Sequence, residues 1–183
     1  MAPGGTGTGL MLRVVLSGVE SVGKSTLAAM LAKQYRGLLV PEFGRTYTER
    51  LRRDLTLEDH YAIAEGHEIA ADQAAAANPP VLIEDTDIVM TTVWASMLFG
   101  ARDPILASRA SRADLHLLLL PDVPFVADPV RMFGQDTQRQ RFHELVLAEF
   151  KARGIEPQVI SGTWAGRKAA AEAAIEAALR VQA

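Results

Sequence analysis

The chain has 183 residues, which suits one domain with a buried core, or one domain with a small lid. A formal charge of −3 gives no support for non-specific nucleic-acid binding, and no apolar run is long enough to cross a membrane. There is no cysteine, which excludes disulfides, thiolate metal sites and a cysteine nucleophile, and which suits the cytoplasm.

The segment from Met1 to Gly9 is polar and glycine-rich and lacks the apolar stretch of a signal peptide. Residues 1–10 read as a disordered leader and 11–183 as the folded domain. Leu12–Leu16 is a short, β-branched-rich apolar run, as a buried strand should be. Gly18-Val19-Glu20-Ser21-Val22-Gly23-Lys24-Ser25 follows it and fits G-x-x-x-x-G-K-[ST]. Good helix formers continue from Thr26, so a helix is expected over Ser25–Tyr35. Strand, glycine loop and helix together form a phosphate cradle. Gly18 and Gly23 permit backbone angles closed to other residues. The loop through Glu20, Ser21, Val22 and on to Thr26 can then turn its N–H groups toward a nucleotide's phosphates at a helix N-terminus. Lys24 would bridge the β- and γ-phosphates and Ser25 would ligate magnesium, so ATP and Mg²⁺ are the expected cofactors.

Gly37–Val40 reads as the second strand and ends in Pro41-Glu42-Phe43-Gly44-Arg45-Thr46-Tyr47. Strand C-terminal ends line the ligand crevice of open α/β sheets. Glu42 can orient a hydroxyl nucleophile there, and Arg45 can neutralise charge on a transferred phosphoryl group. A surface ion pair is the competing structural reading. Tyr47, close by and polar-tipped, is a substrate-contact candidate. A helix is expected over Leu57–Ala77, opened by a Thr56-x-x-Asp59 capping box and stopped by Asn78-Pro79-Pro80. His60 and His67 share a face of it two turns apart, too far for one metal, and are read as non-functional.

The third strand, Val81–Ile83, runs into Glu84-Asp85-Thr86-Asp87. Asp85 directly follows the apolar run and is the better magnesium-side candidate or catalytic base. Asp87 either caps the next helix, Ile88–Phe99, or reaches the substrate. Trp94 on that helix can stack on a flat ring or pack in the core. Leu115–Leu120 is a continuous apolar strand. Residues 121–138 are polar and proline-containing and are expected to form a lid. Arg131 is its favoured catalytic cation, ahead of Arg139 and Arg141. The chain closes with a helix over Arg139–Arg153, a strand over Gln158–Ile160 and a helix over Gly166–Val181. Gly162 and Thr163, after the last strand, are candidates for contacting the nucleotide base. Alternating strands and helices imply an α/β fold, a parallel sheet covered on both faces.

Several of these pieces recur in a fixed order. They are the glycine loop with Glu20-Ser21, Pro41-Glu42 with Arg45 and Tyr47, Asp85-Thr86-Asp87 with Trp94, Pro121-Asp122-Val123-Pro124 with Asp128 and Arg131, and Ile160-Ser161-Gly162. This order resembles the ribosylnicotinamide kinase domain of NadR and related AAA-type ATPase domains, over nearly the whole chain from Leu12. The resemblance implies a P-loop kinase fold with a five-stranded parallel sheet in the order 2-3-1-4-5. It implies transfer of the ATP γ-phosphate to the 5′-hydroxyl of nicotinamide riboside. It places Lys24 and Ser25 on phosphate and magnesium, Glu42 with Asp85 or Asp87 at the ribose, and Arg131 in the lid.

Phe125 and Pro129 depart from the Trp and Gly more usual in the family. About ten residues precede the first strand, so the adenylyltransferase and DNA-binding parts of NadR proteins are not expected here. A small nucleoside-like substrate, no nucleic-acid or membrane partner, and a possible homo-oligomer complete the expectation. Another nucleoside or a vitamin alcohol as acceptor, and a regulatory ATP-binding module with little turnover, are the alternatives.

Overall fold

The computed structural model describes residues 11–126 and 132–182. Five parallel strands form one sheet in the order β2-β3-β1-β4-β5. Strand β1 (Leu12–Ser17) is central, between β3 (Val81–Asp85) and β4 (Leu115–Leu119). The edges are β2 (Leu38–Val40) and β5 (Gln158–Ile160). The three central strands are almost wholly buried, which is why their sequences are continuous apolar runs rather than alternating ones.

Helix α1 (Lys24–Gln34) leaves the glycine loop and turns Leu27, Ala28, Leu31 and Ala32 into the core. α2 (Phe43–Arg50) follows β2 directly and buries no residue fully, so it carries no apolar periodicity for a sequence reading to find. α3 (Leu57–Ala75) starts at the expected box: Thr56 accepts from the Asp59 amide, and Asp59 accepts from the Thr56 amide at 2.7 Å. Arg53 and the Tyr47 hydroxyl also donate to Asp59, and these donors hold its carboxyl well below the usual carboxylate range.

α4 (Ile88–Phe99) is capped by Asp87, whose Oδ1 accepts from the Val89 amide at 3.0 Å, and ends at Gly100 in the left-handed conformation. The short α5 (Pro104–Ser108) has Asp103 as its cap and had no helical period to betray it. α6 (Asp136–Arg153) starts one turn earlier than the sequence suggests and packs Phe142, Val146 and Phe150 against the sheet. Burying each such side chain stabilises the fold by roughly 1.5–3 kcal/mol. α7 (Trp164–Gln182) ends the described chain.

Candidate nucleotide and acceptor site

At the C-terminal edge of the sheet, the loop from Gly18 to Gly23 wraps the N-terminus of α1. Gly18 has φ 139° and Gly23 φ 86°, backbone that other residues rarely adopt. A Cβ on Gly18 would stand 2.5 Å from the Leu119 carbonyl oxygen, a backbone atom that cannot give way. Lys24 Nζ donates to the Gly18 and Val19 carbonyls at 3.0 and 2.9 Å, which holds the ammonium inside the loop. Ser25 and Thr26 are exposed at the start of α1.

The loop faces a cavity of about 1170 Å³, counted with its open mouth. Gly18, Glu20 to Thr26, Glu42 and Arg45 border it, with Thr86, Met90, Thr91 and Trp94 on the α4 side. Glu42 is half-buried at the N-terminus of α2. Burial pushes its carboxyl up and Lys24 opposes that; Asp85 pushes it further up, Arg45 down, and Glu20 up. Lys24, Asp85, Arg45 and Glu20 thus all act on the Glu42 carboxyl. Asp85 is buried at the end of β3, level with Leu16 of β1, and its Oδ1 has no hydrogen-bond partner. A left-handed Thr86 (φ 72°) follows it, a strained state for a β-branched residue and one found most often at functional sites.

Tyr47 turns away from the cavity and donates to Asp59 at 2.8 Å. Asp87 serves its cap and accepts from the Ser111 hydroxyl at 2.5 Å. Trp94 borders the cavity while stacking on Phe133 and meeting Phe142 edge-on, so its wall and packing roles coexist. Gly162 and Thr163 are exposed outside the cavity lining, and the Gly162 amide donates to Asp122 at 2.6 Å. Arg131 lies outside the described residues. Arg139 is buried and donates to the Glu20 and Val123 carbonyls, with its guanidinium 5.4 Å from the Phe125 ring centre. Arg141 is exposed.

The glycine loop also grips the segment that follows β4. The Glu20 carboxylate accepts from the Met132 and Phe133 amides, and the Ser21 hydroxyl accepts from the Val126 amide at 2.7 Å. No periodicity signals these pairings, because they join residues more than a hundred positions apart. His60, Ile63 and His67 of α3 also border the cavity, with Leu55 and Thr48. Both histidines, read from sequence as non-functional, are thus cavity-wall residues. Their shared helix face was the one available signal.

Gly66 explains how α2 is held. A Cβ there would stand 2.3 Å from the Phe43 ring, which lies directly on the helix. Gly66→Ala is expected to push Phe43, and with it Glu42 and Arg45, out of place. An acceptor KM raised about tenfold with an unchanged ATP KM, in steady-state kinetics, is the expected signature.

A glycine loop between β1 and α1 of a 2-3-1-4-5 parallel sheet, facing carboxylates at the ends of two neighbouring strands, defines a P-loop nucleotide-binding domain of kinase-like fold. Residues 13–167 match the AAA domain family, and the chain belongs to it. Over 149 residues it is 34% identical to the trifunctional NAD biosynthesis/regulator protein NadR of Salmonella typhimurium, and 33% identical to that of Escherichia coli. These matches cover 78% of this chain and 36% of each relative, so the chain spans about a third of their length.

A solved NadR protein in complex with NR has a TM-score of 0.78, covering 94% of this chain and 53% of that one at 22% identity. Thymidylate kinase from Ehrlichia chaffeensis has a TM-score of 0.65, covering 91% and 98% at 13% identity. At such identities the likeness is one of fold. No described helix is long and apolar enough to cross a membrane.

Proposed function

We propose that this domain transfers the γ-phosphate of ATP to the 5′-hydroxyl of nicotinamide riboside, giving nicotinamide mononucleotide. The observation that carries the reading is the single cavity wall shared by the phosphate loop and Glu42, with the buried Asp85 beside them. A pure nucleotide-binding module needs no acceptor carboxylate. The NadR relatives, and the NadR protein in complex with NR, support nicotinamide riboside over other acceptors.

Phosphoryl transfer requires positioning and charge neutralisation more than covalent chemistry. Lys24 and the loop amides hold the phosphates. Glu42 accepts the hydrogen bond of the attacking hydroxyl and then its proton. Arg45 faces the same space and offsets the charge developing on the transferred group. Among the described residues no cluster of three or more His, Asp or Glu could hold a metal alone. The Ser25 hydroxyl and the unpartnered Asp85 Oδ1 are hard oxygen donors, which suits a magnesium ion that takes its other ligands from phosphates and water. Bound there, magnesium would screen the phosphate charge. The cysteine-free composition suits a reducing compartment, and we place the reaction in the cytoplasm.

The test is ADP release with ATP and Mg²⁺, with and without nicotinamide riboside, and a mass for the product. Riboside-dependent ADP with matching nicotinamide mononucleotide is expected. ATP binding with no stimulation by the riboside would overturn the acceptor assignment.

A further inference from the structure

The α3 wall of the cavity carries a group that neither the phosphates nor the reacting hydroxyl uses. His60 is 2% exposed, and its Nδ1 lies 2.9 Å from the Thr56 carbonyl oxygen. A carbonyl only accepts, so Nδ1 carries the hydrogen and Nε2 is left with a lone pair. Burial lowers the pKa of the ring, which keeps it neutral. Phe99 meets the ring edge-on at 5.5 Å and fixes its plane. Among the described residues Nε2 has no protein partner, yet it is not sealed away from solvent. The ring borders the cavity beside Leu55 and Ile63, with Met90 and Trp94 on the α4 side.

Of the polar groups on these walls, His67 Nε2 is paired with Glu84, and the Thr48 and Thr91 hydroxyls donate to the Gly44 and Asp87 carbonyls. The unpaired Nε2 lone pair of His60 is a selective device. It rewards an N–H donor and penalises a carboxylate, whose oxygens would face a lone pair. The Trp94 indole, which borders the same cavity, offers a planar ring a stacking surface. We infer that His60 Nε2 accepts a hydrogen bond from an amino or carboxamide N–H on the rim of the acceptor's base, and so selects amide- or amine-bearing ribosides against carboxylate-bearing ones. This rests on the kinase reading above. It makes His60 a specificity residue and leaves the phosphoryl transfer to other groups.

The experiment compares the carboxamide and carboxylate forms of the same pyridine riboside as acceptors for the wild-type chain, His60→Leu and His60→Gln. Wild type is expected to prefer the carboxamide. His60→Leu should lower kcat/KM for the carboxamide riboside about tenfold, chiefly through KM, and leave the ATP KM unchanged. It should not lower kcat/KM for the carboxylate riboside, so the preference shrinks. His60→Gln, whose amide oxygen can accept, should recover part of it. An unchanged ratio in a folded His60→Leu, or an equal loss for both ribosides, would overturn the assignment.

If wild type releases no ADP with either riboside, the kinase reading fails, and calorimetry with the same two ribosides decides the role of His60 separately. Carboxamide binding weakened by His60→Leu upholds it. Binding that is absent, or indifferent to the substitution, overturns it.

Discussion

Lys24→Ala is expected to lower kcat by roughly 10²–10³-fold while leaving a folded protein. The size follows from where the ammonium sits. Its Nζ is held by two carbonyls of the loop that would enclose the phosphates, and no other lysine borders the cavity. Phosphoryl transfer spreads negative charge over three oxygens, and a fixed cation beside them acts where water is largely excluded. The structural cost is smaller. Two hydrogen bonds on a half-buried side chain are worth about 1–3 kcal/mol together, against a typical total stability of about 5–15 kcal/mol. Steady-state ADP release and a thermal melt on the same preparation check both halves. Near-normal turnover in a folded variant would mean that the loop does not cradle the reacting phosphates.

The parts of this molecule legible in the sequence are those with local signals. The strands β1 and β4 are apolar runs, and the glycine loop between β1 and α1 is a fixed spacing. The Thr56–Asp59 box is a contact over three residues. What was missed lacks such a signal. α2 buries no residue fully, so its eight residues show no apolar stripe. Its position depends on Phe43 meeting Gly66, a contact between elements. The grip of Glu20 and Ser21 on residues 126, 132 and 133 depends on how β4 delivers the chain back to the loop. Nearness to Glu42 in sequence points Tyr47 at the substrate. On a helix the two are five apart, and Tyr47 turns to the Asp59 carboxylate. The spacing of His60 and His67 excludes a shared metal but carries no information about a cavity wall.

The clasp also bears on how the site works. Glu20 holds the Met132 and Phe133 amides, while Phe133 stacks on Trp94 at 5.3 Å between ring centres. One residue of the phosphate loop is thereby tied to the aromatic wall of the acceptor side. Arg139 braces the same loop from α6 through the Glu20 carbonyl. A nucleotide that shifts the loop would be felt at Trp94 through this short chain of contacts.

Glu42→Gln is expected to reduce turnover and raise stability at neutral pH, two effects of opposite sign from one carboxyl. Burial, with Asp85 and Glu20 adding to it, raises the folded pKa of Glu42 above its unfolded value, against Lys24 and Arg45. The fold therefore favours the neutral form. That stabilisation is fully present below the unfolded pKa and is lost as pH rises through the folded one, so at neutral pH the ionised carboxylate works against the fold. Glutamine removes this opposition and keeps the shape. Activity runs the other way, because a base must be ionised to accept the hydroxyl's proton. The wild-type kcat/KM for the acceptor should fall, as pH is lowered, through a value above the ordinary glutamate range. In Glu42→Gln that acid limb should flatten and kcat should drop by about 10²–10⁴-fold. A variant that melts higher, turns over more slowly and loses the acid limb establishes Glu42 as the base held ionised at a cost to the fold. A variant that keeps the wild-type acid limb would pass that role to Asp85, the buried carboxylate that ends β3.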